Sequence, residues 1–264
     1  GKVSPEYQKV LDEIKQQVLN TKGWWFTQTN NYILKSNMGT KKKTFAKKVQ
    51  THLEFIRTVF ERFIPPIVEI NAVSVLTIPS TKEEYAAYIP QGYGWSAGIW
   101  MPGRKELAVS AFTSNESALL SVLRHEAFHQ YIFYATGEKR IPVWYNEGHA
   151  DMFQAIKQSG SRVTIIEDSN HLRSLLPLFK RKAVSIKKHI SLDHAQFYAE
   201  SSRSLNYSTA WSLVYYLRKA APLYKDKRYA TVLPNALKAI AKGDSPDEIN
   251  KKAFYGIDLD ACET

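Results

Sequence analysis

His125-Glu126-Ala127-Phe128-His129 decides how this chain is read. Two imidazoles stand four residues apart, with a carboxylate directly after the first. On an α-helix, residues i and i+4 lie on one face, so both rings can reach a single metal ion. The intervening glutamate then sits beside a water on that ion and can take its proton. The pattern occurs once in the chain.

The flanks predict the helix that this geometry requires. Thr113, with Glu116 three residues later, is a capping-box signature for a helix start. Leu119, Leu120, Val122, Leu123, Ala127 and Phe128 make the segment largely apolar and suited to burial. Gly137 can end it in the left-handed conformation. A helix of about five to six turns is expected. Histidines buried on it need a partner, either backbone groups or a metal.

A catalytic zinc takes three protein ligands and keeps one position open. Eighteen residues beyond His129, Glu147 stands inside Pro142-Val143-Trp144-Tyr145-Asn146-Glu147-Gly148-His149-Ala150-Asp151. Pro142 fits a first helical turn and Gly160 a stop. Glu147 and Asp151 share one helical face. That spacing suggests that Glu147 ligates the metal while Asp151 accepts the spare ring N–H of a liganding histidine and fixes its tautomer. Trp144, Tyr145, Met152 and Phe153 argue for burial against an exposed acidic pair. His149 is two residues from Glu147 and points elsewhere, a bystander. Two imidazoles and one carboxylate suit Zn²⁺ best among divalent ions.

These two segments together resemble the gluzincin metallopeptidases, whose third ligand is a glutamate on a second helix. The string Trp144-Tyr145-Asn146-Glu147-Gly148-His149-Ala150 is similar to the aminopeptidase-type W-x-N-E-G-x-A. The Glu-x-x-x-Asp spacing resembles thermolysin-like enzymes. The layout looks most like the small bacterial peptidase MA-like domains of unknown function. The specific motifs cover residues 125–151. A looser likeness, including Phe197-Tyr198 and Tyr207 through Trp211, extends over most of residues 24–255. No Gly-x-Met-Glu-Asn segment, the string that reads a free substrate amine in the aminopeptidase branch, precedes the histidines. The resemblance implies a zinc-dependent peptide hydrolase with His125, His129 and Glu147 as ligands and Glu126 as general base. It also implies a tyrosine or histidine from a helical lobe that steadies the oxyanion. Tyr207 is the candidate, with Tyr198 and His194 as alternatives.

Composition agrees with one enzyme-sized unit. The chain has 264 residues, 44% hydrophobic and 12% aromatic, which marks a folded protein with ample core. The single cysteine, Cys262, permits neither an internal disulfide nor a thiolate zinc cage. No window approaches a membrane span, and no signal peptide is recognisable. The chain opens Gly1-Lys2-Val3, without an initiator Met, which suggests a trimmed form. The related families are commonly exported, so the resemblance implies an extracytoplasmic location, secreted or periplasmic. The net charge of +11 favours acidic substrates or anionic surfaces. Its densest run, Lys41 to Lys48, leads into Val49, Leu53, Ile56, Phe60 and Phe63 at helical spacing. That is a helix with an apolar stripe and a basic, solvated end. No base-reading pattern is present, so nucleic acid is not an expected partner.

The expected order is a helix over 5–20, a strand or hairpin over 24–36, a helix over 41–63 closed by Pro65-Pro66, and a strand over 68–78. A short helix over 81–88 and strands over 95–101 and 106–112 precede the two metal-bearing helices. Helices are expected after residue 160, at about 169–180, 193–200, 207–221, 226–242 and 246–254. This predicts a two-lobed α+β, zincin-like metallopeptidase fold. Residues 1–137 form an α/β lobe with a mixed sheet and the active-site helix. Residues 138–264 form a mainly helical lobe with the third ligand, and the metal lies between the two. The resemblance implies that the 106–110 strand is a sheet edge to which an extended peptide adds by backbone hydrogen bonds; an interior strand is the other reading. Trp95, Trp100 and Tyr93 either line a pocket or pack the sheet. The expected activity is that of a zinc metalloendopeptidase acting on peptides or proteins. An exopeptidase, a narrow processing peptidase and a non-catalytic zinc-containing binding module are the alternatives.

Overall fold

The structure, a computed structural model, describes residues 3–39, 42–111, 116–181 and 183–259. The expected capping box at Thr113, the start of the basic run at Lys41 and the tail cysteine Cys262 lie outside the described residues. The chain forms two compact units, residues 1–137 and 138–264.

In the first unit, α1 (Pro5–Asn20) is capped by the Ser4 hydroxyl, which accepts from the Tyr7 N–H. Then come β1 (Trp25–Gln28), β2 (Tyr32–Ser36), α2 (Lys43–Phe63), β3 (Ser74–Ile78), α3 (Lys82–Tyr88), β4 (Gly98–Met101), β5 (Glu106–Val109) and α4 (Glu116–Ala135). Thr81 and Glu84 close a reciprocal capping box on α3. The strands make a mixed five-stranded sheet in the order β1-β2-β3-β5-β4. β2, β3 and β5 run parallel, and β1 and β4 are antiparallel to their neighbours.

Two expectations are corrected here. Residues 68–73 do not extend β3, because the ladder with β2 begins at the pair Tyr32↔Ser74. The strand at 106–109 is not a sheet edge. It lies between β3 and β4, buried along its whole length, and β4 ends the sheet among the described residues.

Register assigns the faces. Ile33 pairs with Val75, and Val75 with Glu106, so these share a face with Lys35, Thr77 and Ala108 two residues on. Tyr7, Leu11 and Ile14 of α1 pack with Ile33 and Val75. Leu34, Leu76 and Leu107 point to the opposite face. Elsewhere in the core, Phe60 of α2 meets Phe128 and Tyr131 of α4 at ring separations of 5.4 and 5.5 Å. On the α1 face, the buried Lys35 ammonium lies 3.3 Å from Glu106, which also accepts from the Thr77 and Tyr88 hydroxyls. Several donors therefore offset the cost of burying that carboxylate.

The second unit holds α5 (Val143–Gln154), the hairpin β6 (Ile156–Ser159) and β7 (Arg162–Ile165), α6 (Ser169–Lys180), α7 (Ile186–Ile190), α8 (His194–Phe197) and α9 (Arg203–Tyr215). A π-helical turn (Tyr216–Ala220), α10 (Ala221–Leu223), α11 (Val232–Lys242) and α12 (Pro246–Ala253) complete it. The hairpin departs from the expectation of helices alone. Gly160, expected to stop a helix, instead sits at φ +59° in the β6–β7 turn, and α5 ends at Gln154. Pro142 is the cap residue before α5, and its carbonyl accepts from the Tyr145 and Asn146 N–H groups.

One buried histidine of this unit sets a pH dependence. Burial pushes the His189 imidazole of α7 down to about 4, from an ordinary value of 6.5. It is neutral in the fold and gains a proton on unfolding anywhere between those values. Its contribution to stability is therefore complete above pH 6.5 and is lost as pH falls toward 4, at up to about 1.4 kcal/mol per pH unit. Urea unfolding across that window should show a shallower slope, by up to one proton, in His189→Met than in the wild type.

Candidate metal centre

The His helix ends as its sequence predicts. Gly137 takes φ +66° and donates its N–H to the Tyr134 carbonyl. On α4, His125 and His129 are each 9% exposed, and their rings meet edge to face at 4.8 Å. The two Nε2 atoms are 3.1 Å apart. Two nitrogens bound tetrahedrally to one zinc ion stand about 3.3 Å apart, so this spacing suits a shared ion. One ligand atom from each of His125, His129 and Glu147 lies within 4.8 Å of the other two. Two neutral imidazoles and a carboxylate are the donor set that zinc prefers.

Glu126 is held by the edge strand. Its Oε2 accepts from the Trp100 N–H of β4 at 2.9 Å. Gly98, two residues earlier, makes that approach possible. A Cβ there would fall 2.6 Å from Val122 Cγ1 and 2.9 Å from Glu126 Cγ. The lack of a side chain lets β4 lie directly on the helix surface between Val122 and Glu126. The Trp100 ring packs on Phe133 and Tyr134 of the same helix. Trp95 and Tyr93, in the turn leading into β4, are exposed. The negative charge of Glu126 is felt nearby: burial first, then Glu126, lifts the Tyr85 hydroxyl to about 12, against an opposing hydrogen bond with Ser96.

In the second unit, α5 carries Glu147 and Asp151, both buried. The Tyr198 hydroxyl donates to Glu147 Oε1. Tyr207 of α9 packs its ring against Tyr198 and Phe197 at 6.1 and 5.3 Å. The His194 ring also lies against Tyr198, tilted, with centroids 4.4 Å apart. Of the three oxyanion candidates, Tyr198 is thus seen hydrogen-bonded to Glu147, and the rings of the other two lie against its own. Asp151 Oδ2 lies 3.6 Å from His171 Nε2 of α6. His149 is fully buried, its Nδ1 2.7 Å from the Tyr145 carbonyl. Its Nε2 accepts from the Arg218 Nε–H at 3.2 Å. Arg218 reaches it from the π-helical turn, and burial and that guanidinium hold the imidazole well below its usual range.

Three contributors had no readable signal in the sequence. Gly98 and the Trp100 N–H act through a strand whose place in the sheet is set by non-local pairing. His171 sits on an amphipathic helix at no ligand spacing from the motifs. Gly148 was visible within the motif, but its role was not. A Cβ there would overlap the Ala210 carbonyl oxygen and sit 2.6 Å from Val214 Cγ2, so α9 rests its backbone on α5 beside Glu147.

Residues 119–225 match the model of a family described as "Protein of unknown function (DUF1570)". That stretch runs from within α4 past α10 and includes the His-Glu segment, Glu147, Asp151 and Tyr198. Comparison with curated proteins gave no match.

Gly148→Ala should displace α9 from α5 at a cost of about 1–3 kcal/mol, read as a lower thermal midpoint of the metal-free protein. Gly98→Ala should leave zinc content intact, because it touches no ligand, while moving Glu126.

Proposed function

We propose that this chain is a zinc-dependent peptide hydrolase, acting as a metalloendopeptidase. The observation that carries the reading is the convergence of His125, His129 and Glu147, with Glu126 between the two histidines. A structural zinc site has no use for that fourth residue. The order of a mixed sheet, the His helix and then a helix with a carboxylate ligand is what a zincin-like peptidase requires.

Zinc bound by the two imidazoles and Glu147 would polarise a substrate carbonyl and bring the pKa of a water to about 7. Glu126 takes the proton of the attacking water and passes it to the departing nitrogen. Asp151, one helical turn beyond Glu147, accepts the free ring N–H of a liganding histidine and keeps that ring in the correct tautomer. Tyr198 is the donor to the developing oxyanion: its hydroxyl stands at the carboxylate ligand and turns its one O–H from Glu147 to the substrate oxygen. Tyr207 supports its ring. The substrate is a peptide or protein. No described helix is long and apolar enough to cross a membrane, and the family resemblance favours a secreted or periplasmic setting.

The purified protein should contain one zinc per chain by elemental analysis and should cleave members of a peptide library. Glu126→Gln should keep the zinc and lose at least about 10²-fold in kcat. Cleavage that survives that substitution would refute the mechanism. Peptides with blocked amines should be cut as well as free ones, and a strict need for a free amine would move the assignment to an exopeptidase. Tyr198→Phe should lower kcat by about 10²–10³ with little change in KM, whereas Tyr207→Phe should cost far less.

A further inference from the structure

Asp151 is backed by a second layer of side chains from two other helices. His171 Nε2 lies 3.6 Å from Asp151 Oδ2. The other ring nitrogen, Nδ1, is 2.9 Å from the Ser208 hydroxyl of α9. The imidazole also stacks on the Trp211 indole, with centroids 5.1 Å apart and planes 24° apart. The His171 backbone is fixed as well, since its N–H donates to the Asp168 cap of α6 at 3.2 Å. Nδ1 meets the Ser208 hydroxyl, with donor and acceptor set by the tautomer, and Nε2 faces Asp151 Oδ2 beyond hydrogen-bond distance, a contact that becomes an ion pair when the imidazole is protonated. The ring is thus oriented at its Nδ1 edge and clamped on its face.

Ser208, His171 and Asp151 resemble in outline the constellation of a serine nucleophile, but the serine is 2% exposed inside α9 and closed to substrate. The line of contacts leads instead inward, to the face of α5 shared by Glu147. We infer that His171, seconded by Ser208, is a positioning residue for the metal centre. It stands against one oxygen of Asp151 and narrows the orientations open to the carboxylate that, on the zinc reading, serves a liganding imidazole. The inference rests on the zinc reading above and deepens it. Groups that orient metal ligands through an intermediary typically change metal affinity by about 10- to 100-fold when removed.

The test measures metal binding and not turnover. Zinc dissociation constants are obtained by competition with a chromophoric chelator for wild type, His171→Ala, His171→Gln and Ser208→Ala, and the visible spectra of their cobalt(II)-loaded forms are compared. His171→Ala should weaken zinc by about 10- to 100-fold and alter the cobalt spectrum. His171→Gln, whose amide N–H can take the place of Nε2–H, should recover most of that loss, and Ser208→Ala should show a smaller loss of the same sign. Unchanged zinc affinity and cobalt spectra in both His171→Ala and Ser208→Ala would overturn the inference, even if the thermal midpoint of the metal-free protein falls, since that result marks packing alone. A wild-type chain that takes up no zinc would overturn the metal reading and this inference together. Tight wild-type binding with indifferent variants removes only the inference.

Discussion

The second unit is organised by the missing side chain at Gly148. Because nothing projects there, the backbone of α9 lies on α5 beside the Ala210 carbonyl. Close approach at one point fixes the rest of the helix pair, since two packed helices have few ways to interdigitate. α9 brings Ser208 and Trp211 to His171, and Tyr207 to Tyr198. The contacts that hold Asp151 and Glu147 are therefore made by residues on, or leaning on, the helix that Gly148 admits. The first unit uses the same device at Gly98, where β4 reaches the surface of α4. In both places a glycine beside a carboxylate lets backbone come within reach.

The polar groups of the candidate centre are each held by something rigid. Glu126 is tied to a strand amide, Glu147 to a tyrosine buttressed by aromatic rings, and Asp151 lies against a stacked imidazole. Such support suits chemistry in which small displacements of a base or ligand are costly. His149 shows the contrast. It stands within the same motif, yet the Tyr145 carbonyl and Arg218 take up both of its ring nitrogens.

Much of this was legible in the sequence because it is local. α1 and α3 carry their caps, and α2 its apolar stripe, in consecutive residues, and the His and Glu spacings are properties of a single turn of helix. What could not be read depends on partners far along the chain. The 106–109 segment admits both an edge and an interior reading, and its unbroken apolar run, Leu107-Ala108-Val109, is the pattern of the interior strand that the sheet contains. Val68 to Val73 has strand-forming residues but pairs with no strand among the described residues. The β6–β7 hairpin is mostly exposed and lacks a clear period of two, so Gly160 reads equally as a helix stop or as the turn between two four-residue strands that it forms. His171 could be found only once α6 and α9 were folded together.

The hydrogen bond between Trp100 and Glu126 also bears on solubility. A terminal strand with idle amides invites indiscriminate pairing with other chains, and proteins commonly blunt such edges with charge and brevity. β4 has both: it is four residues long, and a carboxylate caps one of its amides. An intruding strand must displace an anion before it can zip on, so the same contact that fixes the base discourages aggregation along this margin of the sheet.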